Sequence, residues 1–290
     1  MVLNLFKYYS PKYEGEFNLS FYSRRAIYFQ QPIKFNDPWD CKAPPLKLHR
    51  QINNLKNIYD KLAKRNGQYF VKKEWQRISK SPRSEIKNLF EGCFKEAFEK
   101  KRSEIGVFSL SFIPDSELMW SHYTNSHFGY MLHFQIDPAT YLIDSSLSKV
   151  GIPIPVIYKD KREVWNLEKY HENREKYVYD LVRYKSSAWE YECELRLLNV
   201  TKYGFIKTPS DWLKSIVIGL NTEDGLRSKL EDIGNELNIP VFSALMDNKD
   251  YKITIPGLGV DGNQGRMVYK ELIDSKIFEL SSAGTIVENS

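Results

Sequence analysis

Gly106-Val107-Phe108-Ser109-Leu110-Ser111-Phe112 alternates apolar and hydroxyl side chains from Phe108 onward, the period-two pattern of a half-buried strand. Pro114-Asp115-Ser116-Glu117 then opens a short helix, with Asp115 or Ser116 as its cap. That helix carries Leu118, Met119, Trp120 and Tyr123 and ends before Gly129, after which Tyr130 to Phe134 reads as a second strand. A strand, a brief helix and another strand in so short a space point to an α+β arrangement with a mixed sheet.

Outward from this segment, Leu3 to Tyr8 and Ala26 to Phe29 read as strands, and Pro32 with the Asn36-Asp37-Pro38 turn ends the second. Leu55, Ile58, Tyr59 and Leu62 fall at helical spacing, as do Ile86, Leu89, Phe90, Phe94, Ala97 and Phe98, with Ser81 or Ser84 capping the latter helix. Ile152 to Tyr158 is a strand that Pro153 and Pro155 place at an edge. Val164 to about Ser186 is expected as one long helix. Glu194 to Val200 and Ser215 to Leu220 follow as strands, then a helix capped by Thr222 and running to about Leu237. Pro240 to Leu245 and Tyr251 to Ile255 complete the strands. Helices and strands do not alternate strictly, and neither GxGxxG nor GxxxxGK[ST] occurs, which removes support for a doubly wound nucleotide fold. The prediction is a single α+β domain over residues 1–255 with a helical insertion near 50–104. The glycine-, serine- and asparagine-rich segment 256–290 is expected as a loose tail.

Hydrophobic residues make up 42% of the chain and aromatics 14%, enough for a sizeable core, which argues against disorder. The formal charge of +5 is a weak pointer to nucleic acid. Cys41, Cys93 and Cys193 stand far apart without a CxxC or Cys/His spacing, so they read as reduced thiols and no metal site is expected. No run approaches the roughly 18 apolar residues that span a bilayer, and the first seventeen residues lack a signal-peptide pattern. A cytoplasmic protein with no membrane partner is the expectation.

Three groups of residues carry candidate chemistry. In Phe35-Asn36-Asp37-Pro38-Trp39-Asp40, the turn alone accounts for Asn36 to Pro38, while Asp37 and Asp40 could hold a hydroxyl, a base or a cation. Ser109 and Ser111 share one strand face and read either as solvated hydroxyls or as a pocket wall. Glu192, Glu194 and Arg196 sit at alternate positions, hence on one strand face. They form either a solvated ion-paired surface or a polar cleft in which Arg196 and Lys185 set the state of one glutamate. His122 fits a neutral hydrogen-bonding role better than a metal ligand, and Trp120 and Met119 fit the core.

These elements together resemble the bacterial domain of unknown function 2971 family: FNDPWD at 35–40, FSLSF at 108–112, MWSHYTNSHFGYMLHF at 119–134, Tyr158, and Lys185 with WEYECELR ending at Arg196. The resemblance runs from about residue 5 to residue 245 and implies an intracellular bacterial effector or a protein of phage-defence neighbourhoods. The motif order is also similar to that of ADP-ribosyltransferases: a basic residue early (Arg24 or Arg25), a Ser-x-Ser strand (Ser109, Ser111) and a late Glu-x-Glu (Glu192, Glu194). That similarity implies a split mixed sheet, NAD as cofactor and a macromolecular target. Glu194 would be the first catalytic candidate and Glu192 the second, with His122 beside them; Tyr123 or Trp120 would stack on nicotinamide. The alternatives are a non-catalytic nucleotide or nucleic-acid binding module, and a metal-dependent nuclease built on Asp37, Asp40 and Glu194.

Overall fold

The computed structural model describes residues 2–13, 15–47, 72–138, 140, 147–166 and 174–275. The predicted helix through Leu55 to Leu62 lies outside them. The strands that matter are β1 (Leu3–Tyr9), β2 (Ile27–Phe29), β3 (Gly106–Ser111), β4 (Tyr130–Ile136), β5 (Ile152–Pro155), β6 (Ile157–Lys159), β7 (Tyr184–Ser186), β8 (Glu194–Asn199), β9 (Gly204–Ile206), β10 (Leu213–Ile218) and β11 (Val241–Ser243). The helices are α1 (Arg83–Glu104), α2 (Glu117–Tyr123), α3 (Arg174–Arg183), α4 (Asp224–Leu237) and α5 (Gly262–Ser275).

Seven strands form one mixed sheet in the order β11-β10-β4-β1-β3-β8-β5. Only β10 and β11 run parallel; the other pairs are antiparallel. The sheet nearly parts at its middle. β1 pairs with β4 along its whole length, from Leu3↔Ile136 to Tyr9↔Tyr130, but meets β3 at the single position Phe6↔Ser111. Beyond it β3 turns to another partner: Gln30, next to β2, exchanges both backbone hydrogen bonds with Val107 at 2.8 Å. β1 and β3 therefore diverge, leaving a gap between two half-sheets.

One face of the sheet is covered continuously. Leu3 and Leu5, Phe108 and Leu110, Leu132 and Phe134, Leu195 and Leu197, and Ile216 and Ile218 pack there with α4 and α5. The opposite face carries two separate cores. Phe6, Tyr8, Met131 and Val217 lie under Met119 and Trp120 of α2, whereas Val107, Ile154 and Leu198 lie under α1 and α3. The alternation read in β3 holds: Phe108 and Leu110 are buried on the continuous side, and the serines face the interval between the other two cores.

The α2 cap is Ser116, whose Oγ accepts from the Met119 N–H. Gly129 serves close approach, since a Cβ there would lie 1.9 Å from the Tyr9 carbonyl oxygen. Tertiary pairing changes four expectations. The long helix over 164–186 is only α3; Trp165–Asn166 pairs with Leu46–Lys47, and β7 pairs in parallel with β6. Thr222 donates to the Gly129 carbonyl at 2.8 Å instead of capping α4, which starts after Glu223. Neither Ser81 nor Ser84 caps α1, whose N-cap position is Pro82. Where a loose tail is expected, Gly262–Ser275 forms α5. A Cβ at Gly265 would lie 2.0 Å from the Phe112 carbonyl oxygen, and buried Tyr269 donates its hydroxyl hydrogen bond to the Val156 carbonyl. Among the described residues, no helix is long and apolar enough to cross a membrane.

Candidate functional site

The gap between β1 and β3 opens into a cleft of about 1230 Å³. Lys7 and Tyr9 of β1, Ser109 of β3, and Tyr123, Lys185, Glu192, Glu194 and Arg196 line its inner part. Tyr13, Arg24, Tyr28, Lys34 and Phe205 lie toward its rim.

Arg196 is the hub of the buried polar groups and is 0% exposed. Its guanidinium reaches both oxygens of Asp40 at 2.9 and 2.6 Å and both oxygens of Glu194 at 2.8 and 3.0 Å. It also donates to the Val182 carbonyl at 2.8 Å and stands 5.4 Å from the Phe35 ring centroid. This paired fork geometry is what a planar guanidinium offers and an ammonium does not. The FNDPWD turn thus delivers Asp40 to a strand 156 residues away. Asp37 acts locally: its Oδ1 accepts from the Trp39 N–H at 2.9 Å and fixes the turn.

Lys185 joins the second carboxylate. β7 aims its Nζ to 2.5 Å from Glu192 Oε2, 3.2 Å from Glu194 Oε2 and 3.9 Å from Asp40 Oδ2. Alternation alone predicts that Glu192 shares the strand face of Glu194 and Arg196, but Glu192 precedes the strand. It closes a 3-10 turn (Ser187–Glu192), and Cys193 follows in the left-handed region at φ 41°. That backbone reversal brings the Glu192 carboxylate to the same ammonium as Glu194. Ser111 holds the bend, donating from Oγ to the Glu192 carbonyl at 2.6 Å while accepting from the Ile113 N–H at 2.9 Å. The Tyr123 hydroxyl donates to Glu192 Oε1 at 2.6 Å.

Their surroundings drive the two glutamates apart. Burial works against an ionised Glu194, but Arg196 and Lys185, with a hydrogen bond from Ser109, hold it well below the usual carboxylate range. Burial and the Glu194 charge raise Glu192, against the pull of Lys185 and Tyr123. The Lys185 ammonium is held above its ordinary value because Glu194 and Glu192 outweigh its burial. Burial and the Glu192 charge keep Tyr123 protonated.

Lys7 completes the set and was not among the residues that spacing singled out, because a lone lysine on an apolar strand reads as a solvated position. Its Nζ stands 5.2 Å from the Phe108 ring centroid. Burial pushes its ammonium down to about 8, with Glu194 and Glu192 pulling the other way. It makes no hydrogen bond or ion pair with the described residues.

Of the predicted site residues, Asp40, Ser109, Tyr123, Lys185, Glu192, Glu194 and Arg196 converge, and Arg24 reaches the rim with its guanidinium 4.4 Å over Phe205. Three others stand apart. Trp120 is core, donating from Nε1 to the Pro114 carbonyl at 2.8 Å. His122 is exposed, with Nδ1 3.1 Å from the Tyr191 hydroxyl, and Asp37 stays in its turn. Among the described residues, no group of three His, Cys, Asp or Glu side chains is placed to hold a metal ion.

No curated protein and no solved structure matches the chain. Residues 119–197, which supply Tyr123, Lys185, Glu192, Glu194 and Arg196, match the family described as protein of unknown function (DUF2971), so the resemblance carried by the motifs holds for the stretch that builds the cleft.

Proposed function

We propose that the cleft is the active site of an enzyme that breaks the nicotinamide N-glycosidic bond of NAD and passes the ADP-ribosyl group to a macromolecule or to water, in an intracellular bacterial effector or defence role. The observation that carries this reading is the pair Glu192 and Glu194, two carboxylates on one ammonium inside a large cleft, with their proton affinities driven apart. Such separation assigns different tasks to like groups. As the C1′–N bond breaks, its electron pair neutralises the nicotinamide ring and positive charge develops on the ribose. Permanently ionised Glu194 stabilises that charge. The acceptor oxygen or nitrogen bonds to C1′ and its proton goes to Glu192, which Tyr123 holds in place.

The rest of the cleft supports a dinucleotide. Lys7, Arg24 and Lys34 offer positive charge to phosphates, and Tyr28 with Phe205, ring centroids 5.0 Å apart, offers aromatic surface for a base. This rim equally supports a non-catalytic nucleotide-binding module. The nuclease reading draws less support, because Asp40 and Glu194 already face Arg196 and Lys185.

Incubation with labelled NAD and cell extract, with nicotinamide release read by chromatography, separates the readings. The wild type is expected to release nicotinamide, and Glu192→Gln to lower kcat by about 10²- to 10⁴-fold. Saturable NAD binding without release supports the binding module. Neither binding nor release sinks both.

A further inference from the structure

Trp39 belongs to the FNDPWD turn but does not line the cleft. It is 62% exposed, yet it is not loosely held. Its N–H is bonded to Asp37, and the Arg162 guanidinium stands 5.4 Å from its ring centroid while donating to the Lys42 and Ala43 carbonyls at 2.9 and 2.6 Å. A large aromatic held by a guanidinium yet more than half exposed keeps ring surface on which a base can stack.

The ring borders a second pocket of about 310 Å³, walled by residues 39–44 on one side and 159–163 on the other, with Tyr184, Lys185 and Ser186 beside them. Lys185 lines this pocket and the main cleft alike. Glu163 is paired with Lys159, Asp160 accepts from the Ser187 hydroxyl, and Asp180 meets Lys176 through Oδ2 at 3.3 Å while its buried Oδ1 has no hydrogen-bond partner among the described residues. Lys42 and Lys161 are exposed and have no ion pair with the described residues. What remains open to a ligand is a flat aromatic face and two cations.

We propose that this pocket seats one unpaired nucleotide of a single-stranded nucleic acid, with its base on Trp39 and its flanking phosphates on Lys42 and Lys161. The proposal deepens the reading of the adjoining cleft and rests on it for one point only, that the nucleotide is the acceptor of the transferred group. A stacked base accounts for the exposed ring without sequence preference, since every base has a π-face. A protein partner would be expected to cover an apolar patch, and the pocket rim is cationic instead.

The test measures fluorescence anisotropy of labelled DNA and RNA single strands of about 12 nucleotides, without NAD and at about 50 mM salt, beside a duplex control. Saturable binding of a single strand is expected. Trp39→Ala should raise Kd about tenfold or more and Trp39→Phe should recover most of it, with circular dichroism confirming the fold. Lys42→Gln and Lys161→Gln should each reduce the slope of log Kd against log salt by about 0.7. Absence of saturable binding up to about 100 µM, or equal affinity in Trp39→Ala, overturns the proposal, as does protein capture through Trp39 with every oligonucleotide silent. Nicotinamide release without nucleic acid tests the cleft separately. Trp39→Ala should keep that release and lose label transfer to the oligonucleotide.

Discussion

Replacing Arg196 by Met removes a guanidinium with no exposed surface and leaves two buried carboxylates behind. Five hydrogen bonds to oxygen go with it: two to Asp40, two to Glu194 and one to the Val182 carbonyl. Lys185 remains 3.2 Å from Glu194 but 3.9 Å from Asp40, so Asp40 is the poorly compensated charge. Loss of one partner from a buried ion pair costs about 3–5 kcal/mol, a large share of the roughly 5–15 kcal/mol that holds a domain folded. With a urea m-value of about 3 kcal/mol/M for a chain this long, a loss of about 4 kcal/mol moves the midpoint down by about 1.3 M. Tryptophan fluorescence reads it at pH 7. Adding Asp40→Asn to Arg196→Met should recover about 1–2 kcal/mol, because the orphaned charge is gone. A loss below about 1 kcal/mol, or strictly additive effects of the two substitutions, would refute the view that this network is held by mutual compensation.

Two further outcomes follow from the geometry. Glu192 has a raised folded-state affinity for its proton, so its contribution to stability is present below the ordinary carboxylate value near 4.3 and fades as pH rises through the higher folded value. Glu192→Gln should therefore raise the urea midpoint relative to wild type more at pH 8 than at pH 4.5, and the opposite order would contradict the assigned shift. Gly265→Ala should drive a methyl into the Phe112 carbonyl and lift α5 from the sheet, lowering stability by about 1–3 kcal/mol. A thermal midpoint within about 2 °C of wild type would show that the helix is not seated there.

What was legible in the sequence was legible for local reasons. The alternation in Phe108 to Phe112, the Ser116 cap and the apolar face of α2 all act within a few residues, and each forms as its pattern predicts. Lys185 groups with Glu192 and Glu194 although the end of the expected helix, Tyr184–Ser186, is in fact a strand, because proximity in the chain does not depend on that assignment. Three features depend on distant partners and left no local trace. Asp40 meets Arg196 across the sheet, β7 is a strand only because β6 lies beside it, and Lys7 looks like any solvated lysine until β3 turns away from β1. The engagement of the two glutamates is equally non-local: Arg196 and Lys185 hold the oxygens of Glu194, while Lys185 and Tyr123 hold those of Glu192.

The place where the sheet parts is also where the charges gather, and the two facts bear on each other. Divergence of β1 from β3 gives up ladder hydrogen bonds at the centre of a seven-stranded sheet, where continuity would be most stabilising. Burial of Asp40, Glu192, Glu194, Lys185 and Arg196 in the same interval is at best neutral for stability beside a well-packed apolar core. A left-handed Cys193 adds strain of about 1 kcal/mol or more at the same bend. Stability alone would close the sheet and fill the interval with leucine, as it does on the opposite face at Leu110, Leu132 and Leu195. Three unfavourable choices gathered at one location are accounted for by a site that needs an open cleft and a fixed set of charges, with local discrepancies marking function.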